Sequence, residues 1–414
     1  MGRIKVAIVS QVFGPTGGGQ ARWSHAFAQA LHERGFEVHV VTRKTSPAAV
    51  KLPFYLHPIP KQKRHPFQFA AAAWEVTAKL QPDLVHDMGD GWGGSLLQFH
   101  GGPYLVAAEH KLKILPRPFR PIKRWLWRLL PHYRRSIQFA AEQIRRHPGL
   151  LVALSNYQAM WIKRCYKVPG EKLRVVHNGV DIVQFTPANR VLYRTAVREY
   201  LGIEHSATML LIVAYDYRLK GVPTLLSAAG SLIQKGHDLH VVIVGKRPRG
   251  DWFTGRLSRG LRERVTFVGA VSDPRPFYAA ADVYVHPTFF DCCSLAVLEA
   301  MASGLPIITT VCNGAGELIE PGREGFLLRE PGDAHGLAEK IEALLDPSLQ
   351  TEMGQAAREK ALQHRLERNV ADILHLYDAV LGSTEGSGTS AVKPHISAGL
   401  NFSTWSRPAT GKTG

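Results

Sequence analysis

The chain predicts an α/β protein of two Rossmann-like domains whose parallel sheets face a shared cleft, and three observations carry that reading. Short β-branched runs alternate with helix-length segments. The alternation occurs twice over. The 414 residues also exceed the usual reach of one hydrophobic core, which favours two units of about 150 to 200 residues each.

Strands of the first unit, 1–180, are read at "KVAIVS", "EVHVVT", "DLVHDM", "GLLVALS" and "LRVVHNG". Those of the second, 181–381, are read at "TMLLIVAY", "LHVVIVG", "RVTFVGAV", "DVYVHPT" and "LPIITT". The join is expected within His177 to Arg190, "HNGVDIVQFTPANR", where Asn178-Gly179 and Pro187 interrupt the periodicity. From 382 to 414 the chain is rich in Gly, Ser and Thr with no apolar period, the composition of a disordered tail. Open α/β sheets bind ligands at the carboxyl ends of their strands, so the site is expected in the cleft between the two domains.

No run approaches the roughly eighteen apolar residues of a membrane span, and the apolar run in "MGRIKVAIVSQVFGP" is too short for a signal peptide. A cytoplasmic, non-spanning protein is expected. Cys165, Cys292, Cys293 and Cys312 form no CxxC pair and read as buried reduced thiols. The net charge of +17 implies an anionic partner: nucleic acid, an anionic membrane face or a phosphorylated substrate.

Three stretches carry chemistry. The first strand runs into "GPTGGGQARW" and then a helix with Phe27, Ala30 and Leu31 on one face. Gln20-Ala21 stand where a P-loop has Lys and Ser/Thr, and Arg22 replaces the last glycine of GxGxxG, so neither fingerprint is met. Gly17, Gly18 and Gly19 then serve either as a tight turn or as a bare-backbone loop that meets a phosphate at a helix N-terminus. In "VAYDYRLKGVPTLLSAAGSL", Arg218 and Lys220 follow a strand, placed to bind a diphosphate and stabilise it as a leaving group, or else are solvated loop cations.

The third stretch is "HPTFFDCCSLAVLEAMASGLPIITT", His286 to Thr310. Asp291 falls in the loop before a helix starting near Ser294, and Glu299 more than one turn inside it. Metal binding fits poorly: there is no matching His set, the cysteines are adjacent, and no DxD occurs. A thiol nucleophile needs an activating base that nothing adjacent in sequence supplies. Two acids around a helix N-terminus suit another task, in which N–H groups of Ser294 and Leu295 take a phosphate, Glu299 accepts ribose hydroxyls and Asp291 holds sugar hydroxyls. A solvent-facing Glu with an N-terminal Asp is the plainer alternative.

Acid, seven residues, then Glu, followed by "AMASGLPIITT" and "NGAGELIEPGREGFLL", resembles the signature of the retaining glycosyltransferases of family 4, which have the GT-B fold. The resemblance runs to about Val380 and includes the glycine loop, "HNGVD", Arg218 with Lys220, and "VTFVGAV". It implies that Glu299 holds the ribose, Asp291 the donor sugar, and Lys220 with Arg218 the diphosphate, with Val268 to Val271 beside the base. "LVHDMGDGW", "LLQFHGGPY" and "RLKGVPTLL" look like the lipopolysaccharide core glucosyltransferase I group within that family. His100, in "FHGGPY", stands at a loop that in this family faces the anomeric carbon; on its own it reads as structural. Two departures stand out. Asp291 replaces the usual Glu, and Tyr215 occupies the place of a common arginine, leaving Arg218 to supply that cation.

The segment His110 to His147 carries Lys111, Lys113, Arg117, Arg120, Lys123, Arg124, Arg128, Arg134, Arg135, Arg145 and Arg146 against the single acid Glu142. Phe119, Trp125, Leu126, Trp127, Leu129 and Leu130 interleave with them. Cations beside Trp and Leu on a helix suit an interfacial contact with anionic lipid, worth about 1 kcal/mol per basic residue. Single-stranded nucleic acid is a weaker fit because no RNA-binding or helix-turn-helix signature accompanies the segment, and a solvated helix with Trp125 or Leu129 turned inward is the bland alternative.

The expectation is therefore a metal-independent, retaining hexosyltransferase without cofactor, peripheral on the inner face of the cell membrane. It would move a hexose from a nucleotide-sugar such as UDP-glucose to a lipid-linked or phosphorylated saccharide such as lipopolysaccharide core, and no nucleic acid is expected as partner. A mannosyltransferase using GDP-mannose, a GT-B phosphorylase, a nucleotide-sugar epimerase and a non-catalytic basic scaffold are the competing readings.

Overall fold

The computed structural model describes residues 3–46, 53–60, 66–246 and 257–385. The first sheet consists of β1 (Lys5–Val9), β2 (Glu37–Thr42), β3 (Tyr55–Pro58), β4 (Leu84–Asp87), β5 (Leu96–Gln98), β6 (Leu150–Ala153) and β7 (Leu173–Val175), in the order 3-2-1-4-5-6-7 and all parallel. The second consists of β8 (Thr208–Val213), β9 (Leu239–Val244), β10 (Val265–Gly269), β11 (Val283–His286), β12 (Ile307–Thr310) and β13 (Gly325–Leu328), in the order 10-9-8-11-12-13, again all parallel. Each is the doubly wound arrangement, with the order reversing beside β1 and beside β8.

Helices cover both faces of each sheet, which is why the central strands read as unbroken apolar runs rather than alternating ones. Leu239 through Val244 are buried without exception. The edge strands β3 and β13 escaped the sequence reading because "YLHP" and "GFLL" are short and only partly buried. Cys292, Cys293 and Cys312 are buried free thiols, whereas Cys165 is only half-buried.

The two domains share one continuous apolar cluster, in which Phe99, Val106 and Tyr166 meet Phe290, Cys292 and Val297. Polar contacts fix the same seam. Ser155 Oγ donates to the Cys292 carbonyl at 2.6 Å and Asn178 Nδ2 to the Cys293 carbonyl at 2.8 Å. Glu317 accepts from the backbone N–H groups of Asn156 and Tyr157, capping the helix Asn156–Tyr166 from the opposite domain.

The final helix, Leu366–Glu385, departs from the expected organisation in two ways. It runs past residue 382, where the tail was expected to begin; the remainder of that tail, 386–414, lies outside the described residues. It also crosses back, so that Val370, Ile373 and Tyr377 join the core beneath β1 rather than that of the second domain. The pattern of apolar residues predicts a helix here but not which sheet it covers.

The basic segment is not one helix. Tyr104–Leu112, Phe119–Leu129 and Pro131–Arg146 succeed one another, the last break falling at Pro131. Trp127 turns inward onto Ala108 and Leu112. Trp125 and Leu129 do not turn inward: with Phe119 and Ile122 they form a stripe spaced three, three and four residues apart, each more than half exposed. The side chains of Arg128 and Arg146 lie outside the described residues. Among the described residues no helix is long and apolar enough to cross a membrane.

Candidate active site

The loops that leave the carboxyl ends of β1 and β5 meet the loop and helix that follow β11, with Gly19 against Leu295 and Gly102 against Phe290 and Cys292. The loop after β8 delivers Lys220. Gly221 turns it into the helix Val222–Gln234 with φ +75°, and a Cβ there would lie 2.1 Å from the Pro287 carbonyl oxygen, so only glycine lets this loop seat against the next one. Lys220 Nζ then lies 2.5 Å from Asp291 Oδ2, with the two side chains 6% and 16% exposed. Tyr215 lays its ring 5.3 Å from the ammonium, so the residue in the place of the usual arginine contacts the same cation.

Burial works against both charges, and the pair overcomes it. Asp291 is driven upward by desolvation but held well below the usual carboxylate range by the Lys220 ammonium and by His286, whose Nε2 lies 3.7 Å away. Desolvation pulls Lys220 down, yet Asp291 and Tyr215 leave it above the ordinary lysine value. The result is a full positive charge facing a full negative one at the cleft floor. Arg218, two residues earlier, is exposed.

On the other side of the helix Leu295–Ala302, Glu299 is nearly enclosed. Tyr278 O–H donates to its Oε2 at 2.9 Å, and Arg22 Nη2, from the first domain, lies 2.8 Å from its Oε1. Burial pushes the Glu299 carboxyl up, and Arg22 with Tyr278 opposes that shift. Arg22 follows the glycine loop by one turn. The start of its helix comes against the second domain, since a Cβ on Gly19 would touch Leu295 Cδ1 at 3.3 Å, while Gly18 borders open space. Among the described residues no side chain caps this helix, which leaves its first N–H groups available to an anion.

Other expected site residues fall less simply. The Ser294 N–H is not available to a phosphate, because it donates to Asn313 Oδ1 at 3.2 Å; a cap from a residue distant in sequence removed it. His100 packs its ring on Trp23, centroids 4.5 Å apart, and burial, with His86 nearby, pushes it down to about 3, so it is neutral. Its loop does border the Asp291 loop: Gly102, at φ +74°, comes so close that a Cβ would lie 2.9 Å from Cys292 Sγ. Val268 is half-buried at the end of β10, and Val271 is exposed beyond it. The basic segment reaches this region as well, with Lys111 Nζ 3.9 Å from Asp216 Oδ2 in the Lys220 loop.

Two family models match this chain, one described as Glycosyltransferase Family 4 over residues 17–184 and one as Glycosyl transferases group 1 over residues 207–347. The chain belongs to the group 1, family 4 glycosyltransferases. The D-inositol 3-phosphate glycosyltransferase of Pseudarthrobacter chlorophenolicus is 28% identical over 91% of this chain and 93% of its own length. The lipopolysaccharide glucosyltransferase WaaG of Escherichia coli K12 is 26% identical over 55% of this chain and 61% of that protein, so that match spans less than two thirds of either. A crystal structure of WaaG, a glycosyltransferase involved in lipopolysaccharide biosynthesis, superposes with a TM-score of 0.76 at 23% identity, covering 91% of this chain and 100% of that one. The fold is GT-B.

In this glycosyltransferase, sequence reasoning overlooked Arg22, His286 and Tyr278. Arg22 was visible only as the residue that spoils a dinucleotide fingerprint. Its partner lies in the other domain, and no local spacing encodes that contact. His286 opens the motif that contains Asp291, but a strand-end histidine carries no signal until the loop folds the acid back onto it.

Proposed function

We propose that this chain is a retaining hexosyltransferase that moves a hexose from a nucleotide-sugar, UDP-glucose or a close relative, to a lipid-linked or phosphorylated saccharide at the inner membrane surface. The observation that carries the reading is the ionised Lys220–Asp291 pair, buried in the loops just before the N-terminus of the helix Val222–Gln234. An enclosed carboxylate, Glu299, accompanies it. Lys220, Arg218 and the free N–H groups at Gly19 and Leu295 take the diphosphate, Glu299 takes the ribose hydroxyls, Asp291 the hydroxyls of the sugar, and Val268 to Val271 flank the base.

The reaction follows from those positions. The bond from the anomeric carbon to the diphosphate oxygen breaks, and the acceptor oxygen attacks from the same face. The departing phosphate oxygen takes the acceptor's proton, and the configuration is retained. Negative charge grows on the diphosphate as the bond breaks, so a preorganised ammonium and helix dipoles lower the barrier as a metal ion would elsewhere. His100, neutral and on the bordering loop, serves as a hydrogen-bond partner rather than as a cation.

The acceptor is read from the basic segment. The stripe of Phe119, Ile122, Trp125 and Leu129, flanked by Arg117, Arg120, Lys123 and Arg124, suits an interface with anionic lipid, and the same segment reaches the Lys220 loop through Lys111. The relatives' names fit this choice: one acts on an inositol 3-phosphate, another in lipopolysaccharide assembly.

The test is transfer from radiolabelled UDP-glucose, UDP-N-acetylglucosamine and GDP-mannose in EDTA, with and without a lipopolysaccharide-core acceptor, and with the product linkage read by NMR. Acceptor-dependent transfer that keeps the donor's α configuration is expected. Inversion, strict need for a divalent ion, or conversion of the donor without any acceptor would overturn the reading.

A further inference from the structure

Arg22 and Glu299 meet across the domain boundary, at the carboxylate assigned above to the ribose, and the role inferred for Arg22 rests on that assignment. Each Glu299 oxygen has one fixed donor, Arg22 Nη2 on Oε1 and Tyr278 O–H on Oε2. A carboxylate offers about four acceptor directions, so each oxygen keeps room for one hydroxyl of a vicinal diol. The Glu299 side chain is 6% exposed, and a buried carboxylate without a cation would take up a proton rather than stay charged. Among the described residues Arg22 is the one cation within ion-pair distance of it. The other ionisable groups facing the pair, Tyr278 and Tyr284 beside Glu299 and Asp273 near Arg22, carry no positive charge.

We propose that Arg22 is a positioning residue of the donor site. It reaches from the glycine-loop helix across the cleft, keeps Glu299 ionised and fixes its plane for the ribose diol. The ribose grip is therefore composite, complete only when the first domain closes on the second. The arginine that disqualifies the loop as a dinucleotide fingerprint becomes part of the nucleotide site through the other domain.

The experiment is calorimetric titration of UDP, GDP and ADP, then of the tightest binder's 2′,3′-dideoxy counterpart and of pyrophosphate, into wild type, Arg22→Ala, Arg22→Lys and Glu299→Ala between pH 5.5 and 8.5. Arg22→Ala should weaken the ribonucleotide at least tenfold. The gap should widen toward pH 5.5, because the unpaired Glu299 carboxyl, already raised by burial, binds a proton at higher pH than in wild type. Dideoxynucleotide and pyrophosphate affinities should change less than twofold, and Arg22→Lys should restore part of the loss. Thermal unfolding of each variant checks the fold, and the lysine variant keeps the charge if the alanine one is unstable. Equal losses for pyrophosphate would make Arg22 a phosphate ligand and overturn the inference. So would unchanged ribonucleotide binding by Arg22→Ala alongside a loss in Glu299→Ala. Unchanged binding by Glu299→Ala, or none by wild type, would instead sink the ribose assignment and the inference with it.

Discussion

Lys220 Nζ sits 2.5 Å from Asp291 Oδ2, so the cation assigned to the diphosphate and the acid assigned to the sugar form one ion pair. Removing either end strands the other buried charge and should lower stability, but only one removal deletes the cation assigned to the diphosphate. Lys220→Ala deletes the charge proposed to stabilise the leaving group, and kcat should fall by about a hundredfold or more. Asp291→Ala strands a buried ammonium, at a cost of about 3–5 kcal/mol, so its melting temperature should fall along with its activity. Near-normal turnover in Lys220→Ala would remove that residue from the mechanism.

A buried network far from the chemistry provides a contrast. Asp282 accepts from Arg194 at 2.7 Å, from the fully buried Arg198 at 3.2 Å and from the Met209 N–H at 2.8 Å. Asp282→Ala removes the buried counter-charge of Arg194 and Arg198, which keep their bonds to the Ala280 carbonyl, and the acceptor of the Met209 N–H, so it should lower stability by about 3–5 kcal/mol while the folded fraction keeps wild-type KM. Denaturant unfolding alongside steady-state kinetics reads both.

The exposed stripe on Phe119–Leu129 makes a separable expectation. Trp125→Glu with Leu129→Glu should abolish co-sedimentation with phosphatidylglycerol vesicles. Because both side chains face solvent, stability should shift by no more than about 0.5 kcal/mol. Binding by wild type should also weaken as salt is raised. Retained sedimentation by the double variant would place any lipid contact elsewhere.

Acid should destabilise the first domain. Burial pushes His86 down to about 3, and burial with His86 nearby does the same to His100, whereas unfolded histidine titrates near 6.5. A group with a lowered folded pKa contributes stability above its unfolded value and loses it as pH falls from about 6.5 toward 3. The melting temperature should therefore drop between pH 7 and 4.5, and His100→Gln should flatten that slope. An unchanged slope would mean that His100 is not held neutral in the folded chain.

Most of the framework was legible because parallel strands buried on both faces leave continuous apolar runs such as "LHVVIV" and "KVAIV". Asp291 before a helix and Glu299 inside it were legible from the spacing around Ser294. What was not legible depends on tertiary contact. Asn313 takes the Ser294 N–H from 19 residues away, Arg22 finds Glu299 across the cleft, and the last helix chooses the first sheet for its apolar face. None of these choices leaves a mark on local periodicity. Trp125 and Trp127 make the same point, since a single residue separates an exposed ring from a buried one and only the helix orientation decides between them.

The most direct measurement is the melting temperature with UDP, GDP and ADP at matched concentrations in EDTA, for wild type and Glu299→Ala side by side. A ligand at about a hundred times its dissociation constant adds roughly 2.7 kcal/mol, a shift of several degrees for domains of this size. The expected result is that one nucleotide raises the wild-type melting temperature without any metal ion and that Glu299→Ala loses the shift. No shift with any nucleotide in either protein, or an equal shift in both, would contradict a donor site built on Glu299.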